Sequence, residues 1–254
     1  MTIDDLVAKV TDPYERAARL YPALLALLPL FAVVIFLYGP KATASTAAVT
    51  LAVSCGGLYL TTNLCRELGK RLEEKLYREW GGKPTTQLLR HRDANIESVT
   101  KRRYHAFLAS KINVAFPDKD QEARDPTAAD DVYQSGVRWL LNHTRLEDNK
   151  KFDLIFKENV SYGFRRNALG AKPFGLAVAV GSLFWVLLVE GGYFSSNHRF
   201  AGMGAFWRMP DPAIASLVVS AVMVIAWLLF FTKASAHTAA FTYAETLLRA
   251  CDLN

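Results

Sequence analysis

The chain has 254 residues, 51% of them hydrophobic, with 30 Lys and Arg against 24 Asp and Glu and a net charge of +6. The apolar residues stand in four blocks instead of recurring periodically, a pattern that excludes an ordinary soluble domain built on one buried core. Cys55, Cys65 and Cys251 have no metal-ligand spacing, so neither a disulfide framework nor a metal centre is expected.

A helix needs about 20 mostly apolar residues to cross a hydrocarbon core. The first block, Leu20 to Tyr38, meets that requirement. Asp4, Asp5, Asp12 and Glu15 precede it and no small-residue cleavage site follows, so it reads as a retained span and not a cleaved signal. Pro22 and Pro29 lie inside it, which a membrane helix tolerates when neighbours satisfy the freed carbonyls. A short connection, Gly39 to Lys41, leads to the second span, Ala42 to Asn63.

The second span carries Thr43, Thr46, Thr50, Ser54, Gly57 and Thr61 at spacings of 3, 4, 4, 3 and 4. At about 100° per residue they fall within an arc of roughly 80°, so one face is small and polar. Such a face serves close helix packing, in which small residues let backbones approach. The alternative is a pore lining, in which hydroxyls replace part of an ion's hydration.

Leu64, Leu68, Leu72, Leu76 and Trp80 then recur every four residues among charges, predicting that the span continues as a helical stalk. Gly81-Gly82-Lys83-Pro84 should end it, and Thr85 or Thr86 should cap a helix running roughly from Gln87 to Val114. Pro117 to Pro126 reads as an acidic loop, and Thr127 to Asp130 as the capping signal of a helix carrying Val132, Val137, Leu140 and Leu141. A further helix, from near Leu146, runs through Phe152, Ile155, Phe156 and Val160 toward the third span, Phe174 to Val189. Glu190 closes that span, and in an oligomer it would form a carboxylate ring at a pore mouth. A loop from Glu190 to Asp211 precedes the fourth span, Ala213 to Thr232.

With no convincing run of alternating strand residues, the expected fold class is all-α: an integral membrane protein with four transmembrane helices and a helical domain inserted between spans two and three. The expected divisions are 1–63 for the N-terminal segment and first pair of spans, 64–172 for the basic domain, and 173–254 for the second pair and a C-terminal tail.

Charge sets the expected orientation. Between Leu64 and Lys172 there are 22 Lys and Arg and 16 Asp and Glu, while the rest of the chain holds 8 of each. Arg66, Lys70, Arg71, Arg165, Arg166 and Lys172 flank this segment beside the spans, which places it and both termini in the cytoplasm by the positive-inside rule. The ending Cys251-Asp-Leu-Asn254 occupies the position of a prenylation box, but Asp252 is not aliphatic.

Signatures of catalysis are missing, including the phosphate-binding loop, the paired-histidine zinc helix and the nucleophile elbow, so no enzymatic activity, cofactor or metal is expected. Ser98-Val-Thr-Lys101 fits only a short Ser-x-x-Lys pattern without its companion motifs. The basic clusters carry more information. Arg90 and Arg92, then Lys101, Arg102 and Arg103 beside Tyr104, then Arg165 and Arg166 beside Tyr162 and Phe164, set cations next to aromatic rings. That mixture can bind phosphates with the cations while stacking bases on the rings, the alternative being a merely solvated face. For Arg165 and Arg166, close to a span, attraction to anionic lipid is an equal reading. Arg90 and Arg103 lie 13 residues apart and would share a face if one helix ran through both.

The order of two spans, a basic block and two further spans, with the stretch Glu158-Asn-Val-Ser-Tyr-Gly-Phe-Arg-Arg-Asn167, resembles the four-span membrane effectors of bacterial anti-phage defence, most of all that of the Hailong system. The resemblance implies a homo-oligomeric channel, a tetramer, in the bacterial inner membrane. Its basic cytoplasmic domain would bind a nucleotide or short single-stranded DNA oligomer made by a partner nucleotidyltransferase and be held closed by it. The alternative is a membrane anchor or scaffold that docks a cytoplasmic partner without channel activity.

Overall fold

The computed structural model describes residues 12–41, 43–146, 151–190 and 209–253. Asp4, Asp5 and almost all of the loop expected between Glu190 and Asp211 lie outside the described residues. Among the described residues the chain is helical and contains no strand. Four helical segments are long and apolar enough to cross a membrane: Glu15–Tyr38, Ala44–Leu89, Asp153–Glu190 and Asp211–Leu229.

The helices in chain order are α1 (Tyr21–Val33), α2 (Ala44–Glu79), α3 (Pro84–Leu89), α4 (Ser98–Ile112), α5 (Lys119–Arg124), α6 (Pro126–Leu146), α7 (Asp153–Glu190), α8 (Asp211–Leu229) and α9 (Lys233–Leu248). Wider π-helical turns, Glu15–Leu20 and Val34–Tyr38, extend α1 at both ends, and a 3₁₀ turn, Arg249–Asp252, follows α9. The chain divides into two compact units: Met1–Leu72 with Gly163–Ser235, and Glu73–Tyr162 with Ala236–Asn254.

In the first unit, the apolar sequence of α1 packs along α8, and Ser216 Oγ donates to the Ala32 carbonyl at 3.4 Å. Ala23, Ala26, Cys65, Ala168, Ala171, Ala179, Met223 and Trp227 form one core of the unit. Small residues set the approach of α2 to α7. A Cβ on Gly170 would stand 2.6 Å from the Gly69 nitrogen, so only glycine permits this contact.

Pro22 has no N–H to offer the Ala18 carbonyl, which a helix would otherwise bond four residues on. Asn167, fully buried on α7, supplies the donor: its Nδ2 lies 2.7 Å from that oxygen. A proline inside an apolar segment is thus answered by one amide from another helix. Lys172 acts similarly, its ammonium bonding the Leu228 and Phe231 carbonyls at the C-terminal end of α8.

α2 passes from span to stalk without interruption and stops at Glu79, where Gly81 and Gly82 take positive φ of 84° and 131° that side-chain-bearing residues rarely adopt. Pro84 then occupies the first turn of α3, which no threonine side chain caps. The helix expected over 87–114 is broken: Arg90 is extended at ψ 140°, and helix resumes only at Ser98. The acidic stretch after Pro117 contains α5, with a capping box between Asp118 and Gln121. Asp125, not Thr127, sits at the start of α6, where its carboxylate accepts from Ala128 N at 3.0 Å.

The core of the second unit joins Leu88, Leu89, Ile96, Tyr104, Leu108, Ala129, Tyr133, Val137, Leu140 and Phe152 to Ala244, Leu247, Leu248, Ala250 and Cys251. The residues expected as a C-terminal tail therefore supply much of this core.

Candidate functional site

The cations singled out in the sequence divide by their surroundings. Arg90, Arg92, Lys101, Arg102 and Arg103 belong to the second unit, Arg165 and Arg166 to the first. Because the chain turns away from helix at Arg90, that residue and Arg103 do not share a helical face.

Arg90 faces inward. Its Nε and Nη2 donate to the two oxygens of Asp130 at 2.8 and 2.6 Å, and its Nη1 donates to the Gly81 carbonyl at 2.8 Å. The bond to Asp130 holds this guanidinium yet more firmly protonated than usual, against the opposing effect of burial. Lys101 is 4% exposed, and its ammonium bonds the Arg90 and Asp93 carbonyls at 2.7 and 2.6 Å. Burial pulls its pKa down from the ordinary lysine value, with Asp93 and Glu122 opposing. Both side chains are committed to shaping the segment between α3 and α4.

Sequence reading passed over the centre of this arrangement, Glu122 on α5. It is buried and accepts from His91 N at 2.7 Å, Arg92 N at 3.4 Å and the Tyr133 hydroxyl at 2.8 Å. Burial alone would raise its pKa, but these hydrogen bonds outweigh it and hold the carboxyl below the usual range. His105 on α4 donates from Nε2 to the Leu89 carbonyl at 2.7 Å and stacks on Tyr133, and burial pushes its pKa down to about 4. A carboxylate in an acidic loop gave no pattern to distinguish it. Only the assembled fold brings the His91 and Arg92 amides to it.

The outward cations are Arg92, Arg102 and Arg103, all exposed. Arg103 forms a forked pair with Asp252, Nε to Oδ1 at 2.9 Å and Nη2 to Oδ2 at 3.1 Å. In the first unit, Arg165 is exposed and bonds Ser235 Oγ at 2.6 Å, while Arg166 is half-buried with Nε 3.2 Å from Asn167 Oδ1. Ser98 is exposed, and the commitment of Lys101 to two carbonyls leaves no Ser-Lys pair arranged for acyl transfer.

The hydroxyl stripe of α2 is not uniform. Thr43 precedes the helix and exchanges bonds with Thr46, Thr43 N to Thr46 Oγ1 at 2.8 Å and Thr46 N to Thr43 Oγ1 at 3.4 Å, in the form of a capping box. Thr50 is exposed and Ser54 half-buried, whereas Thr61 is buried. Much of the outer half of α2 is exposed, Leu51 at 66% and Leu60 at 68%, while Gly57 and Leu58 are half-buried like Ser54. Glu190 ends α7 and is half-buried. Among the described residues no group of three or more His, Cys, Asp or Glu is placed to hold a metal ion.

No protein family, no curated protein and no solved structure matches the chain.

Proposed function

We propose that this chain is a pore-forming effector of anti-phage defence in the bacterial inner membrane, an ion channel assembled as a homo-oligomer. Its segment 64–172 and both termini lie in the cytoplasm, where the exposed cations bind a nucleotide or short single-stranded DNA oligomer supplied by a partner nucleotidyltransferase.

The observation that carries the reading is the largely exposed outer half of α2, where, among the described residues, Thr50 is exposed and Ser54 half-buried. Small hydroxyl residues on a membrane helix need either another helix or water against them. Among the described residues the first is met at Thr61, which is buried, and in part at Ser54 and Gly57. Copies arranged with this face inward would supply the second. Arg92, Arg102 and Arg103 carry the ligand-binding part, since Arg90 and Lys101 are occupied in holding the fold. The chain passes from one unit to the other within α2 and α7. A ligand gates such a pore only by binding the closed and open arrangements with different affinity.

The test starts from protein in liposomes with Cys55 and Cys65 replaced by alanine. Cysteines introduced singly at Thr50 and Ser54 should react with a membrane-impermeant thiol reagent in the conducting state and lower ion flux. A cysteine at Leu51 should stay protected in lipid. A short oligodeoxynucleotide should change the flux of the parent protein, and this effect should weaken as salt rises. Protection of both stripe cysteines in a conducting protein would remove α2 from the pore. Absence of any flux would favour the scaffold.

A further inference from the structure

The segment after the fourth span ends on the cation-bearing helix. Leu247, Leu248, Ala250 and Cys251 are buried in the core that includes Tyr104 and Leu108 of α4. This anchoring delivers Asp252 to α4, where both carboxylate oxygens meet the guanidinium fork of Arg103 at 2.9 and 3.1 Å. Tyr104, next in sequence, is buried in that core, and exposed Arg102 is the neighbour of Arg103 in sequence.

Exposure sets this pair apart from the forked pair of Arg90 and Asp130. Arg90 and Asp130 are mostly enclosed, with side chains 11% and 23% exposed. Arg103 and Asp252 are open to water at 59% and 39%. An open ion pair is weak and is screened by salt. The guanidinium fork accepts phosphate oxygens with the geometry it uses for a carboxylate. Asp252 thus stands where a phosphate group would bind, held loosely enough to be exchanged.

We propose that Arg103 is an anion-binding site filled by the chain's own Asp252 until a phosphate-bearing ligand displaces it, releasing Asp252 and Leu253 from α4 while Ala250 and Cys251 stay buried. The proposal rests on the reading that the exposed cations bind phosphates, and adds to it a built-in competitor. Because Asp252 follows α9, and α9 follows the fourth span after three residues, ligand binding would change what holds the end of that helix.

The experiment uses the full chain in detergent, with inorganic tripolyphosphate as probe and sodium chloride at matched ionic strength as control. Amide hydrogen exchange is followed at Asp252 and Leu253. Tripolyphosphate should speed exchange there in the parent and have no such effect in Arg103→Gln. Asp252→Asn should bind tripolyphosphate about two- to fivefold more tightly than the parent, the ratio expected from removing an exposed ion pair. A labelled short oligodeoxynucleotide forms the second arm. If it binds while exchange and Asp252→Asn affinity stay at parental values, the displacement idea is overturned and nucleotide binding stands. If tripolyphosphate displaces the segment and the oligonucleotide does not bind, the anion site stands and the nucleotide reading falls. Failure of both arms removes both.

Discussion

The polar groups between α3 and α6 and those on the outer half of α2 are treated in opposite ways. Around Glu122, buried donors and acceptors find partners in the same chain: Arg90 on Asp130, Lys101 on two carbonyls, His105 on Leu89, Tyr133 on Glu122 itself. On α2, Thr50 faces outward and a Cβ on Gly56 would meet nothing within 4 Å. The first set fixes the fold, and the second is left to whatever surrounds the helix. Substitutions in the two places should therefore be read by different measurements, stability in one and, on the proposed channel reading, ion flux in the other.

The largest effect should come from Glu122→Leu, which strands the His91 and Arg92 amides and the Tyr133 hydroxyl in a buried site. A loss of about 3 kcal/mol or more is expected in thermal or denaturant unfolding of the full chain in detergent. A loss below about 1 kcal/mol would show that this centre does not hold the fold.

Next comes acidification. His105 titrates near 4 in the folded protein, with His91, Lys101 and Glu122 as its charged or titratable neighbours, against an ordinary value of 6.5. Between those values the unfolded chain binds a proton that the folded chain refuses, so stability falls as pH drops from about 6.5 toward 4 and the loss is complete below. The total reaches roughly 3 kcal/mol. Glu122, whose pKa is depressed on folding, adds its own loss only as pH falls through and below the usual carboxylate range. His105→Gln should flatten the upper part of this dependence, and an unchanged slope would assign it to other groups.

The smallest effects belong to α2. Gly56→Ala should gain about 0.5–1 kcal/mol from helix propensity, and Thr50→Val should change stability by no more than about 0.5 kcal/mol while altering ion flux. A loss above about 1 kcal/mol at either site, measured on the chain as a monomer in detergent, would break the contrast by revealing a close neighbour there.

Hydropathy alone located the four apolar helices, because a bilayer crossing demands a long unbroken run whatever packs around it. The glycines at 81 and 82 likewise marked the end of α2, since a left-handed backbone is a local requirement. The interruption at Arg90 was not legible. Nothing in the residues 87–114 forbids helix, and the extended backbone there is held by Asp130 and Glu122, 40 and 31 residues from Arg90 and His91. For the same reason the cation clusters could be seen without knowing which members turn inward, as Lys101 does and Arg102 does not. The segment after Lys233 escaped notice although Ala236, Ala240, Ala244 and Leu248 recur every four residues, the spacing of a helix with one buried stripe.

The bond from Asn167 to the Ala18 carbonyl makes a keyed joint of the first span and α7. Sliding either helix by one turn would separate the amide from the carbonyl in surroundings without water, and Pro22 supplies no backbone donor to refill the gap. Sliding these two segments past each other therefore carries the cost of that unmade bond, about 1–3 kcal/mol.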